Sequence, residues 1–299
     1  MARAQILAID AGGTMTDTFI IDGKGEFVVG KAQSTPEDES IGLINSARDA
    51  LQYWNTTVET ELPNLLAGVY SGTAMLNRLV SRRGRRVGLI VNKGMEDNHR
   101  MGRAIQSYLG YSYSDRIHIN THHFDPPLVP RELTVGVTER VDMFGNVVIP
   151  LYEHEIEKAV QYLLDKDVEA IVISLLHSYK YPAHERKIRD IAQEMIKKAN
   201  KNVRVFASVD YYPVRKESHR TNTTIVEAYA ADPSRETLQK IENKLKEYGT
   251  KFDLRIMASH GGTISIRANE LARTLVSGPI GGVIGAKYLG EQLGISNIA

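Results

Sequence analysis

The densest run of chemistry-bearing residues is Asp10-Ala11-Gly12-Gly13-Thr14-Met15-Thr16-Asp17. A carboxylate at the end of a buried strand can hold a hydrated Mg2+, because that hard cation keeps several waters and needs few protein oxygens. Gly12 and Gly13 let backbone N–H groups approach phosphate oxygens, and the hydroxyls of Thr14 and Thr16 can add donors. The run reads as a phosphate cradle. It is not a Walker loop, since no Gly-Lys-Ser/Thr follows, nor a dinucleotide fingerprint, since the next pattern is a strand rather than a helix. A plain Gly-Gly hairpin would need neither the carboxylate nor the paired hydroxyls. Asp17 is equally a partner of that site or a simple turn residue.

Two more turns lie at strand ends. Ser71-Gly72-Thr73 precedes a helical pattern whose N-terminus can receive an anion, although the same residues serve as a Ser/Thr helix cap. His260-Gly261-Gly262-Thr263 follows the apolar run Leu254–Ala258, and a cap has no use for a histidine with paired glycines. Ligands gather at the carboxyl ends of strands in open α/β sheets, so both turns are candidate substrate or phosphate contacts. His118, His122, His123 and Asp125 match no zinc spacing and lie in a loop-like stretch, so they read as surface or interface residues. His177 reads as a satisfied histidine at the core edge. Arg82, Arg83, Arg85 and Arg86 surround Gly84 without interleaved aromatics, which suits a solvated turn or an acidic partner better than nucleic acid.

The elements that must position these residues form an α/β pattern, with short Val/Ile/Leu runs alternating with amphipathic stretches. Three strands come first, over Ile6–Ile9, Thr16–Ile21 and Phe27–Lys31, before a helix from about Glu37 to Tyr53. Leu65–Tyr70, Ala74–Val80 and Val87–Val91 make a strand-helix-strand unit. Residues 110–150 read as loops and short strands. Regularity returns with a helix at Glu153–Leu164, a strand at Ala170–Leu176, a helix at Pro182–Lys198 and a strand at Val203–Ser208. Helical pieces at Thr223–Ala230 and Pro233–Tyr248 and a strand at Leu254–Ala258 follow. The glycine-rich stretch from Leu271 to Leu293 comes last; Gly281 and Gly285 suggest close helix packing, and Ser277-Gly278-Pro279 a hinge.

Composition bounds the rest. The 299 residues carry 37 Lys and Arg against 36 Asp and Glu, so no global pull toward nucleic acid or anionic membrane is built in. Zero cysteines exclude disulfides, thiolate zinc sites and a cysteine nucleophile. No run approaches the roughly 18 apolar residues of a membrane span, and the start lacks a signal-peptide core. A cytoplasmic location is expected.

A strand, a glycine turn and a return strand bearing Thr and Asp resemble the phosphate hairpin of the sugar kinase, Hsp70 and actin superfamily. The form IDAGGTMTD is similar to the hydantoinase/oxoprolinase family. SGTAMLNRLVSRRGRRVGLIVNKGMED (71–97), PPLVPRELTVGVTERVDMFGNVVIPL (126–151), LLHSYKYPAHERKIRDI (175–191), YYPVRKESHRTNTTIVEAY (211–229), SHGGTISI (259–266) and SGPIGGVIGAKYLG (277–290) extend the resemblance. Met15 after GGT, residues 100–130, and SHGGT where relatives commonly have SNGG resemble the acetone carboxylase β-subunit branch.

The resemblance implies an RNase H-like lobe with an inserted loop-and-strand region and a second α/β segment. It divides the chain into 1–205, a nucleotide-phosphate-binding region, and 206–299, the beginning of a hydantoinase A-type domain. It implies ATP and Mg2+ as cofactors, acetone and bicarbonate as substrates, other carboxylase subunits as partners, and manganese on one of those partners. Carried over by position, Asp10 would orient Mg2+ while Gly12, Gly13, Thr14 and Thr16 would contact phosphates. Alternatives are an ATP-dependent cyclic-amide hydrolase of the hydantoinase or oxoprolinase kind and a non-catalytic assembly module. Relatives continue past SNIA with a second Asp-Ile-Gly-Gly-Thr-like turn, so the resemblance implies one jaw of a site, inactive by itself.

Overall fold

The computed structural model describes residues 3–35, 37–101, 110–118, 120, 122 and 126–298. In chain order the strands are β1 (Ala4–Ala11), β2 (Met15–Asp22), β3 (Phe27–Gln33), β4 (Ala67–Gly72), β5 (Val87–Asn92), β6 (Thr134–Val137), β7 (Arg140–Val141), β8 (Val147–Ile149), β9 (Ala170–Ile173), β10 (Arg204–Ala207), β11 (Arg255–Met257) and β12 (Thr263–Ser265). The longer helices, with one short one beside the hairpin, are α1 (Glu39–Gln52), α2 (Ala74–Val80), α3 (Glu153–Asp165), α4 (Ala183–Lys198), α5 (Glu217–Val226), α6 (Asp232–Glu247) and α7 (Ser277–Leu293). The chain forms a mixed α/β fold of two compact units, residues 1–83 with 230–299 and residues 84–229. These spatial seams and the division at 205 answer different questions: the first follows packing, the second follows family resemblance.

The first unit is built on a sheet ordered β12-β11-β4-β1-β2-β3. β1 pairs antiparallel with β2 and parallel with β4, and β4 pairs parallel with β11. The ends of β1, β4 and β11 therefore share one edge, where the three predicted turns emerge. Strand periodicity puts Leu7, Ile9, Ala11, Thr16, Thr18 and Ile20 on one buried face. α1 covers it with Leu43, Ile44, Ala47, Ala50 and Leu51. Its N-terminus is capped by Asp38, whose carboxylate accepts the Ser40 N–H at 3.1 Å. Gly30 lets this helix meet β3 backbone to backbone, since a Cβ there would lie 2.2 Å from Ala50 N and Ser46 O.

In the second unit, β10-β9-β5-β6 form an all-parallel sheet. β5 and β9 are buried throughout, as the unbroken apolar runs of such a sheet require. The stretch read as loops and short strands supplies β6 and the small β7-β8 hairpin. The strand expected to reach Leu176 ends at Ile173, because tertiary partners take the next amides: Leu175 N–H goes to Glu185 Oε1 at 2.8 Å and Leu176 N–H to Asn92 Oδ1 at 2.7 Å. α5 starts at Glu217 rather than Thr223.

The glycine-rich C-terminal stretch also departs from expectation. Ser277, Gly278 and Pro279 form the first turn of α7 instead of a hinge, with proline where a missing N–H costs nothing. A Cβ on Gly281 would lie 3.1 Å from Met257 Sδ, so that glycine packs closely, whereas Gly285 has nothing within 4 Å.

Candidate functional site

The β1-β2 hairpin closes through Gly12 N–H, which donates to Met15 O at 3.0 Å. Ser34, just past β3, clamps the turn twice: its hydroxyl donates to Gly12 O at 2.8 Å and its N–H to Thr14 O at 2.9 Å. The Gly12 and Thr14 carbonyls are thus occupied, while the N–H groups of Gly13 and Thr14 have no partner among the described residues. The two glycines differ in purpose. A Cβ on Gly12 would sit 3.0 Å from Met15 O, a contact the turn itself forbids, whereas one on Gly13 would meet only Asn77 Nδ2, at 3.9 Å. Gly13 also has no positive φ, so the fold does not require glycine there. What its bare Cα preserves is open space beside a turn with two unused donors.

Asp10 and Asp17 face each other across β1 and β2, and Asp10 is level with Ser71 on β4. By strand alternation all three project from the face opposite α1. Asp10 is exposed at its surface. The protein around it still penalises the charged form, and the Asp17 carboxylate adds repulsion, so its carboxyl titrates above the ordinary range. Asp17 pairs with Lys31 at 3.1 Å. Two neighbouring carboxylates, one raised by partial desolvation and repulsion, suit a hard divalent cation with a mostly aqueous shell.

Thr16 lies on the other face, 1% exposed, with its hydroxyl 3.1 Å from that of Ser34. It braces the clamp from inside rather than opening onto the turn. Thr14, by contrast, is exposed in the turn itself. Ser71 Oγ is 3.3 Å from Ser277 Oγ at the start of α7. Gly72 makes room for Tyr70, whose Oη would lie 2.3 Å from a Cβ at that position. Tyr70 is buried and donates to Glu39. Burial first, and the Glu39 charge second, push the Tyr70 phenol well above its usual range, so it remains protonated and a donor. Burial also raises Glu39, against its hydrogen bond from Tyr70 and the Arg78 charge.

Thr73 does not cap α2 with its side chain. Its hydroxyl instead donates to Ala11 O at 3.5 Å and accepts from Asn77 Nδ2 at 3.2 Å. At the β11 end, His260 Nδ1 accepts the Gly262 N–H at 3.2 Å, and Gly261 takes φ +88°. A Cβ on Gly261 would also lie 3.0 Å from Ile284 Cδ1. Those contacts give the turn a local structural reason, although it opens on the same sheet edge as the hairpin.

Ser34, Tyr70, Glu39 and Asn77 escaped the sequence reading. Asn77 alone had a visible signal, four residues after Thr73 in a helical register. His122 Nε2 lies 3.1 Å from the carbonyls of Asp115 and Arg116, and no metal-holding group occurs among the described residues; His123 and Asp125 lie outside them. His177, expected to be satisfied, takes φ +55° and leaves Nδ1 without a hydrogen-bond partner, 3.8 Å from Glu217.

The hydantoinase/oxoprolinase N-terminal region model matches residues 6–196, and the hydantoinase/oxoprolinase model matches residues 220–299. The chain belongs to the hydantoinase/oxoprolinase family. It is 65% identical over 299 residues, all of this chain and 42% of the relative, to the acetone carboxylase beta subunit of Xanthobacter autotrophicus. It is 34% identical to the acetophenone carboxylase gamma subunit of Aromatoleum aromaticum, over 97% of this chain and 40% of that one. A solved nucleotide-free acetone carboxylase matches with TM-score 0.92 and 65% identity, covering 98% of this chain and 41% of that one. The ATP-dependent caprolactamase of Pseudomonas jessenii matches with TM-score 0.79 and 27% identity, over 95% and 41%. The chain spans about two fifths of the length of these relatives.

Proposed function

We propose that this chain carries the nucleotide-phosphate site of an ATP-dependent ketone carboxylase that joins acetone and bicarbonate into acetoacetate. The observation that carries the phosphate site is the hairpin turn with two unused N–H donors beside the Asp10–Asp17 pair. The substrate choice rests on 65% identity along the whole chain to an acetone carboxylase subunit. Phosphoryl transfer needs positioning and charge neutralisation more than a covalent nucleophile, and this site supplies backbone donors, hydroxyls and carboxylates.

In this reading Gly13 and Thr14 offer N–H groups to phosphate oxygens, Gly12 shapes the turn, and Thr16 supports it through Ser34. Asp10, aided by Asp17, would hold Mg2+, whose charge neutralises phosphate when bound. Ser71, Gly72 and Thr73 line the adjacent strand end, with His260, Gly261 and Gly262 on the next. The order β3-β2-β1-β4-β11, with β2 alone reversed, supports an RNase H-like lobe. The regions 1–205 and 206–299 remain the proposed family division. Partner subunits, manganese on one of them and a cytoplasmic location complete the proposal. No helix among the described residues is long and apolar enough to cross a membrane.

The caprolactamase likeness favours a second reading, ATP-driven opening of a cyclic amide. The full-length protein, purified with whatever subunits accompany it, is expected to release AMP from ATP only when acetone and bicarbonate are both present. Asp10→Asn should reduce that release at least 100-fold. ADP formation driven by a cyclic amide would select the second reading, and unaltered turnover by the Asp10 variant would overturn the phosphate site.

A further inference from the structure

Asn77 has no part in the site as assembled so far, yet its side chain is the one nearest to the open position at Gly13. It stands on α2, one turn beyond Thr73, and its backbone N–H donates to Thr73 O at 2.8 Å. Its amide orientation is set locally. The Thr73 hydroxyl gives its hydrogen to Ala11 O at 3.5 Å, which leaves its oxygen as acceptor and draws Asn77 Nδ2 toward it at 3.2 Å.

A carboxamide nitrogen carries two hydrogens. One is used by Thr73, and the other has no partner among the described residues. The same nitrogen lies 3.9 Å from the point that a Gly13 Cβ would occupy, and no other heavy atom outside the turn's immediate neighbours comes within 4 Å of that point. The Asn77 side chain is exposed, as are Gly13 and Thr14. Three unused donors, two from the hairpin backbone and one from this amide, thus lie near the open position at Gly13. Such donor-lined space suits an anionic oxygen, and an uncharged amide grips it without forming an ion pair that would have to be broken on release.

We infer that Asn77 is a phosphate-binding residue, its Nδ2 contacting an oxygen of the phosphate group seated over Gly13. This deepens the nucleotide reading and rests on it. Thr73 is then a positioning residue, acting through the amide it orients. The arrangement also gives the Ser71-Gly72-Thr73 turn a use that neither helix capping nor a helix dipole supplies.

The test is the affinity of the full-length protein, in its purified complex, for Mg-ATP, measured by calorimetry beside a melting curve. Asn77→Asp keeps the size but sets a carboxylate against the phosphate, and the Thr73 hydroxyl must turn from Ala11 O, which still accepts the Thr73 N–H at 3.2 Å, to donate to it. Affinity is expected to fall at least tenfold while Tm stays within about a degree. Asn77→Ala, which removes the donor without adding charge, should lose roughly ten- to a hundredfold, the worth of one hydrogen bond to a charged group. Binding of adenosine, which has no phosphate, should be the same in all three proteins. Asp10→Asn in parallel separates the two ideas. If it weakens Mg-ATP binding while both Asn77 variants bind like the parent, the inference about Asn77 is overturned alone. If none of the variants changes affinity, the nucleotide reading fails with it. Should Asn77→Asp melt several degrees early, Asn77→Ala decides, with parental affinity counting against the proposal.

Discussion

Asp10 shows how a functional residue strains the protein that holds it. Its carboxyl titrates above the ordinary value because partial desolvation by the surrounding protein, and then the Asp17 charge, disfavour ionisation. A raised folded-state value means that the ionised form costs stability at every pH above it, and that the cost disappears as pH falls through the normal carboxylate range near 4. Asp10→Asn should therefore raise Tm at pH 7 while cutting ATP turnover at least 100-fold, with the gain shrinking as the melt is repeated toward pH 4. A Tm lowered at pH 7 would contradict the assigned cause. At this scale the sequence was most legible where type and spacing coincide. Asp10, Asp17 and the two glycines could be picked out directly. Thr16 reads in the sequence as a further phosphate donor, and its burial against Ser34 depends on the third strand, which no local pattern shows. Tyr70 and Glu39, 31 positions apart, leave no local trace of their pairing.

Elements explain why glycines of the same sheet have opposite consequences. Gly30 is where β3 touches α1, and a methyl group there would strike helix backbone at 2.2 Å, which cannot rotate away. Gly30→Ala is expected to cost about 1–3 kcal/mol, as overpacking of a tight contact does, and to lower the midpoint of urea unfolding accordingly. Gly13→Ala meets only an amide nitrogen at 3.9 Å, so stability should stay within about 1 kcal/mol of the parent while Mg-ATP affinity drops. Equal damage from both would show that Gly13 serves the fold alone. Hydrophobic pattern located these strands to within a few residues, because β2 and β3 alternate cleanly and β1 does so past the register shift at Ala4–Ile6. It failed where side chains, not periodicity, end an element. β9 stops because Glu185 and Asn92 capture the amides beyond it, and α5 starts early at Glu217, carrying the fully buried Arg220.

At the scale of the molecule, nothing in the composition announces that residues 84–229 form a unit within the chain. Its seams fall beside Arg82–Arg86 and inside a helical stretch near Tyr229, neither of which resembles a linker. The interior of that unit is equally hard to foresee, since charged residues are ordinarily assigned to the surface. Glu185 is fully buried and accepts Leu175 N–H at 2.8 Å, Ser208 Oγ at 2.8 Å and Val209 N–H at 3.0 Å. Arg220, equally buried, donates to Ser208 Oγ at 2.9 Å, Val214 O at 2.8 Å and Leu175 O at 2.5 Å. The pair thus ties the end of β9 to α4, β10 and α5 through shared partners. Removing one member leaves the other's charge without its counterpart in a dry interior, typically about 3–5 kcal/mol. Arg220→Ala should accordingly destabilise the protein by roughly that amount. Hydrogen exchange should accelerate most across β9, β10 and α5, where the network is anchored. The hairpin amides of residues 10–17, which belong to the other unit's core, should keep their parental rates. Arg220→Met, which restores apolar volume but not charge, should fare little better than alanine if the buried Glu185 carboxylate is the cause. The double change Arg220→Met with Glu185→Gln, which removes both charges, should then recover part of the loss, whereas no recovery would mean that packing rather than charge holds this core together.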